Sequence, residues 1–366
     1  MPELRVGILG KRGLACVPGI RSIPEVEVTA FCDLDPATAT MASEAGIQEL
    51  YPDFHSLLKE VDAVAVATPM QFHAQQCIEA LRKGKHVLSE VTAAVTIEEC
   101  MALKKAVADS AATYSFAENY CFFQECLIAR QLAKAGRLGP LYYGEGNYVH
   151  EVRFLHRNEL GAPTWRRRWQ VGVRGNTYCT HELGPLMQWF RAADPSVRVA
   201  AVACFGTGAH TDPTLLHDDC TLTMVRLSNG GLLELRLDMI SNRPHRIGYT
   251  LQGTNGVVET GETHRVWNGP NRSVAFGEAE REWESLLEYQ SALPDELREE
   301  LDMAANQGHG GGDFFVGRRF AQAISGQRPP EIGVFEAVEW TMVGLLSQKS
   351  IVNNSLATPM PGWVYA

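Results

Sequence analysis

The sequence is short of several things. It has no C-x-x-C pair among its nine cysteines, no block of one charge, no low-complexity linker and no internal repeat. Without paired thiols, in a chain that opens directly with the strand-like RVGILG, the cysteines read as reduced, with no secretion signal and a cytoplasmic location. The net charge of −10 is mixed along the chain, and the densest basic run, Arg166 to Arg168, is short and flanked by tryptophans. A nucleic-acid surface needs a broad basic face, so no nucleic-acid partner is expected. His150, Glu151 and His156, and the HDD run from His217, match no tight ligand spacing, so no metal is expected. With 45% hydrophobic and 21% charged residues, the composition is that of an ordinary soluble protein and argues against both disorder and a membrane span.

What is present is enough chain for two domains, because 366 residues exceed the size at which one core usually stops growing. The first third alternates apolar β-branched runs (RVGILG, VEVTAFCD, DAVAVATP, HVLSEV, TYSFAENY) with helix-like stretches. Such strands belong to a parallel sheet covered on both faces, which predicts an α/β, doubly wound Rossmann domain over residues 1–121. Beyond it the strands lengthen and alternate, with turn signals at SNGG and GTNG, which predicts a large, open, mostly antiparallel sheet in an α/β domain over 122–366. Helices are expected near His181, from Pro294, and after Asp313 and Phe335; the tail 351–366 has no period and is expected to extend over the surface.

The first strand runs into GILGKRG, and the second ends in Asp33 about 20 residues on, the context of a dinucleotide fingerprint. Gly10 and Gly13 fit the turn, but the second glycine of G-x-G-x-x-G falls on Arg12 and the third on Ala15. On the motif alone a generic strand-to-helix turn weighs as much; Asp33 tilts the balance, since a carboxylate there suits ribose hydroxyls and repels a 2′-phosphate. NAD is therefore the expected cofactor, with Arg12 leaving NADP open.

The stretch NTYCTHELGPLMQWF places Tyr178 and His181 on one face where an apolar helical pattern begins. A buried pair satisfied by backbone groups is the bland alternative. These residue types suit an oxidative route to glycoside cleavage. Loss of hydride from C3 of a sugar to NAD makes a ketone, which acidifies the C2 proton and permits elimination at C1; water then adds and the hydride returns. His181 titrates near neutrality and is the first choice of base for the O3 proton. Tyr178, with an ordinary pKa of about 10, needs a nearby cation. In QGHGGGDFF, His309 and Asp313 lie four apart around glycines before an apolar helix; they are counted with His150 as sugar contacts, against the alternative that Asp313 is an N-cap.

DAVAVATPMQFH, ALRKGKHVLSE and the AENY strand resemble the Gfo/Idh/MocA oxidoreductase superfamily. SEVTAAVTIEEC, TWRRRW, GNTYCTHELGP, SNRPH, LQGTNG and GHGGGDFF are similar to its NAD-dependent α-N-acetylgalactosaminidase branch of glycoside hydrolases. The resemblance implies that Thr68, Pro69, His73, Glu90 and Asn119 line the nicotinamide side, that Arg166 lies near the cofactor, and that Tyr148 is an active-site residue able to serve at C2. It also implies a homo-oligomer. One departure is Val91, where the superfamily usually has a lysine. The reading is a sugar-active NAD enzyme, preferably a glycosidase with recycled NAD. A sugar or polyol dehydrogenase that releases NADH is the alternative, and a non-catalytic sugar sensor a third. A sugar or glycoside is the expected small-molecule partner.

Overall fold

The LRVGIL run forms a strand, β1 (Leu4–Leu9), whose last four residues are buried. Parallel neighbours follow: β2 (Val26–Cys32), β3 (Glu49–Leu50), β4 (Ala63–Val66), β5 (His86–Ser89) and β6 (Tyr114–Phe116). Their order is β3-β2-β1-β4-β5-β6, all parallel, as in the Rossmann arrangement. Strands buried on both faces explain the near-continuous apolar runs: Val6, Ile8, Val28, Val64 and Val87 are all essentially inaccessible. Helices α1 (Val17–Arg21), α2 (Thr38–Glu44), α3 (Phe54–Glu60), α4 (His73–Arg82) and α5 (Ile97–Ala108) connect the strands. Thr96 caps α5 in a full capping box with Glu99.

The computed structural model describes residues 4–268 and 283–366. The chain packs as two units, the first comprising the segment up to Phe122 with Asp302–Met342 and Gly362–Ala366, the second Phe123–Leu301 with Val343–Pro361. Residues 302–342 and 362–366 thus pack with the first unit although they follow the second in sequence.

The second unit holds α6 (Gln124–Lys134), β7 (Leu141–Val149), α7 (Arg166–Trp169), α8 (Thr180–Ala193), β8 (Val199–Gly206), β9 (Thr221–Leu227), β10 (Leu232–Asp238) and β11 (Arg246–Gly253). Short strands β12 (Gly256–Glu259), β13 (Arg265–Asn268), β14 (Glu284–Ser285) and β15 (Thr358–Pro359) complete a nine-stranded sheet, ordered β14-β13-β12-β11-β7-β10-β9-β8-β15. Every pair is antiparallel except β7 with β10. Helices α9 (Asp295–Ala304), α10 (Gly312–Ile324) and α11 (Val334–Val352) stand where the sequence placed helical stretches.

The tail, residues 351–366, is not one uniform stretch. Its first residues finish α11, β15 pairs with β8, and Val364 is buried. Within the first unit, the Lys104 ammonium donates to the carbonyls of Trp363, Val364 and Ala366 at 2.7, 3.1 and 2.7 Å.

Candidate functional site

In the first unit the fingerprint turn is built around Gly10, whose φ of +93° and position leave no room for a side chain: a Cβ there would lie 2.4 Å from the Ala67 carbonyl oxygen. At the end of β2, the Asp33 carboxylate accepts from the backbone N–H of Lys11 at 2.7 Å and of Asp35 at 2.9 Å, which fixes its orientation. A cradle without a Cβ and an oriented acid at this strand end fit a dinucleotide. Gly13 packs on Ile8. His73 is buried, its ring nitrogens facing the carbonyls of Thr68 at 2.7 Å and Thr92 at 2.8 Å, while Thr68 Oγ1 donates to Gln76 at 2.6 Å. Pro69 opens the 3₁₀ turn before α4.

Arg12, standing where the second glycine of the fingerprint would be, is part of a charged hub. Its guanidinium lies 3.2 Å from Glu90 and donates to Asp313 Oδ1 at 2.6 Å. Asn119 Nδ2 donates to the same oxygen at 2.9 Å, and His309 Nδ1 lies 2.7 Å from Oδ2. Asp313 is 1% exposed. Burial alone would raise its pKa, but the His309 hydrogen bond and the Arg12 charge hold it well below the usual carboxylate range. Burial likewise disfavours charge on Arg12, yet Glu90 and Asp313 raise its pKa further. The carboxylate assigned to sugar hydroxyls is thus engaged by the chain's own donors. Nor is Asp313 the N-cap of α10; Gly311 is. His309, at φ +50° and half exposed, keeps Nδ1 on the carboxylate.

In the second unit, β7 and the start of α8 come together because Gly146 has no side chain: a Cβ there would lie 2.4 Å from the Glu182 carbonyl oxygen. Three expected residues meet as rings. Tyr178 and His181 are 4.7 Å apart between centroids, nearly perpendicular; Tyr148 lies 5.6 Å from Tyr178 and stacks on His181 at 5.2 Å. Tyr148 and His181 are buried, with Tyr178 partly so. The Tyr148 hydroxyl and His150 Nδ1 are 3.0 Å apart. Arg166, on α7, donates to Gln170 at 2.9 Å and lies 4.5 Å over the Trp165 ring.

One residue of this cluster escaped sequence reasoning. His245 makes an edge-to-face contact with His150 at 4.5 Å, and burial lowers its pKa. The antiparallel register explains it: Arg246 pairs with Val149, so His245, one residue before β11, falls opposite His150, one residue after β7. His156 and His217 are buried apart from these rings as neutral imidazoles; burial, then Arg167 and Arg166, push His156 down to about 4, and burial lowers His217. Among the described residues no group of three or more His, Cys, Asp or Glu is arranged to hold a metal, and no helix is long and apolar enough to cross a membrane.

Comparison with known proteins identifies both segments of the chain. Residues 4–118 match the oxidoreductase family with an NAD-binding Rossmann fold, and residues 122–365 match the C-terminal domain of glycosyl hydrolase 109. A glycosyl hydrolase family 109 protein of Saccharopolyspora erythraea is 29% identical over 98% of this chain and 83% of its own. An alpha-N-acetylgalactosaminidase of Shewanella oneidensis is 26% identical over 99% and 85%. Among solved structures, levoglucosan dehydrogenase with NADH and L-sorbose superposes with a TM-score of 0.79 at 20% identity, covering 99% of this chain and all of that one. The scyllo-inositol dehydrogenase of Lactobacillus casei gives 0.72 at 16%, covering all of this chain and 99% of that one. These two likenesses speak to the fold. With an NAD-binding Rossmann unit and a second unit matched over its whole length, the chain belongs to the glycosyl hydrolase 109 family.

Proposed function

We propose that this protein is an NAD-dependent glycosidase that cleaves its substrate through transient oxidation at C3, elimination, hydration and re-reduction, with an N-acetylgalactosaminide as the first substrate to test. The observation that carries the reading is the Tyr148, Tyr178 and His181 ring cluster in a chain whose other unit is a Rossmann domain. NAD, when bound through Gly10, Arg12, Gly13, Asp33, Thr68, Pro69, His73, Glu90 and Asn119, supplies a two-electron acceptor that becomes the donor later in the same cycle. The protein's own groups move the protons. His181 accepts the O3 proton and later returns it; Tyr148 serves at C2, with His150 within hydrogen-bond reach of its hydroxyl. Tyr178 meets the His181 ring edge-on and the Tyr148 ring at a tilt, and orders them. His309 and His150 are the proposed sugar contacts. Arg166, tied to Gln170 and Trp165, is a proposed neighbour of the cofactor.

The test is an aryl α-N-acetylgalactosaminide, then other aryl glycosides, in deuterated water with no added NAD. Turnover with deuterium at C2 supports the glycosidase. The likeness to sugar dehydrogenase folds favours one second reading, a dehydrogenase, in which NADH accumulates in step with product. No reaction with any sugar sinks both and favours a sensor. A cytoplasmic location is proposed on the nine cysteines, eight of them buried, and a homo-oligomer is proposed, to be checked by light scattering.

A further inference from the structure

Helix α8 carries a proline in its interior, Pro185, four residues after His181. Proline has no N–H, so the His181 carbonyl loses the donor that an ordinary helix would supply, and the ring also crowds that carbonyl. The carbonyl is buried, and a buried acceptor without a partner is costly. It is instead met from the sheet: Tyr249 Oη donates to the His181 carbonyl oxygen at 2.6 Å. Tyr249 lies on β11, paired with Gly146 of β7, the glycine that lets α8 approach. Its ring is 3% exposed and packs edge-on at 5.6 Å against Trp189, one turn beyond Pro185, whose indole N–H donates to the Cys126 carbonyl at 2.8 Å.

We infer that Tyr249 is a positioning residue for His181: Pro185 releases the histidine's carbonyl from the helix ladder, and the sheet-borne phenol takes it over, so α8 is tied to β11 at this residue. Residue 181 is thereby held at two points, its ring by Tyr148 and Tyr178 and its backbone by Tyr249. The sheet is the more rigid reference, since β11 is laddered on both sides, to β7 and to β12. The inference rests on His181 being a proton-transfer group of the proposed reaction.

The experiment removes the hydroxyl and then restores a donor. Tyr249→Phe is expected to lower kcat at least ~10-fold with KM within ~2-fold, because substrate contacts are intact while the base is misplaced. Adding Pro185→Ala to Tyr249→Phe returns an N–H to the carbonyl and is expected to recover most of the loss, a non-additivity that a general packing defect does not produce. The His181 imidazole resonances are expected to move in Tyr249→Phe and to return in the double variant. Wild-type kcat in Tyr249→Phe, or no recovery in a folded double variant, overturns the inference. Should Tyr249→Phe fail to fold, the double variant against wild type decides. His181→Ala is the control: full turnover there sinks the role of His181 itself, whereas a dead His181→Ala beside an unimpaired Tyr249→Phe sinks only the positioning. If no sugar turns over, unchanged His181 resonances in Tyr249→Phe suffice to reject it.

Discussion

The hub around Asp313 in the first unit and the ring cluster around Tyr148 in the second solve opposite problems. The hub is ionic: one carboxylate takes a guanidinium, an amide and an imidazole, and Arg12 also meets Glu90. Every charge in it has a counterpart, so it resists change in protonation and holds the glycine-rich turn before α10 in place. The ring cluster instead packs phenol and imidazole groups within reach of one another. Imidazoles as a class exchange protons near neutrality, and phenols can hand protons on to them. One arrangement fixes geometry by charge, and the other keeps charge mobile by packing.

That contrast can be broken. The largest effect is expected from His181→Ala, which should lower kcat by about 10²–10⁴-fold with a smaller change in KM, measured on an aryl glycoside; full turnover would strip the cluster of its chemistry. Asp313→Ala should act on stability, leaving Arg12 and His309 without their acceptor. Loss of one partner of a buried pair costs about 3–5 kcal/mol, and the lower end applies because the Arg12 side chain is 35% exposed. Urea unfolding checks it. Since the folded pKa of Asp313 is depressed, its contribution is complete above the ordinary carboxylate value of about 3.9 and fades as the pH falls below it, so mutant and wild type should converge in acid.

Gly146→Ala probes the packing between α8 and β7. The added methyl meets the Glu182 carbonyl at 2.4 Å, and about 1–3 kcal/mol of strain should appear in the melting curve, together with reduced kcat as His181 moves. His156→Asn should have the smallest effect. A histidine at about 4 in the fold and about 6.5 unfolded stabilises above the upper value and loses that contribution as the pH falls toward the lower. The variant should therefore lose less stability than wild type across that window; an unchanged slope would refute the assignment.

Much of this was legible in the residues. Strands buried on both faces announce themselves as apolar runs, and β1, β2, β4, β5 and β6 were readable for that reason, whereas β3 is two exposed residues with no pattern to read. The short strands β12 to β15 likewise carry too few residues for alternation to show. Tyr178 and His181 were recognisable as a pair because helical spacing is local. The Arg12–Asp313 bond joins residues 301 apart in sequence, and nothing local foretells it. His245 lies between these cases: its neighbour His150 follows at once from the β7–β11 register, but that register is a property of the folded sheet. The protein donors that Asp313 takes were not legible either, because a carboxylate near a helix start reads the same in sequence whether its partners are ligand or protein.

The single parallel pairing in the second sheet has a consequence for how this scaffold can diversify. Because β7 and β10 run the same way, their chains leave the sheet at one rim, where the His150 amide donates to Asp238 and the Val152 amide to Met239, and β11 enters at that same rim opposite Val149. Three crossings therefore share one border, where the β7–β10 pairing runs on for a few residues. Lengthening any of them beyond His150 and His245 leaves the strands beneath undisturbed, so chain can be added here without refolding the sheet.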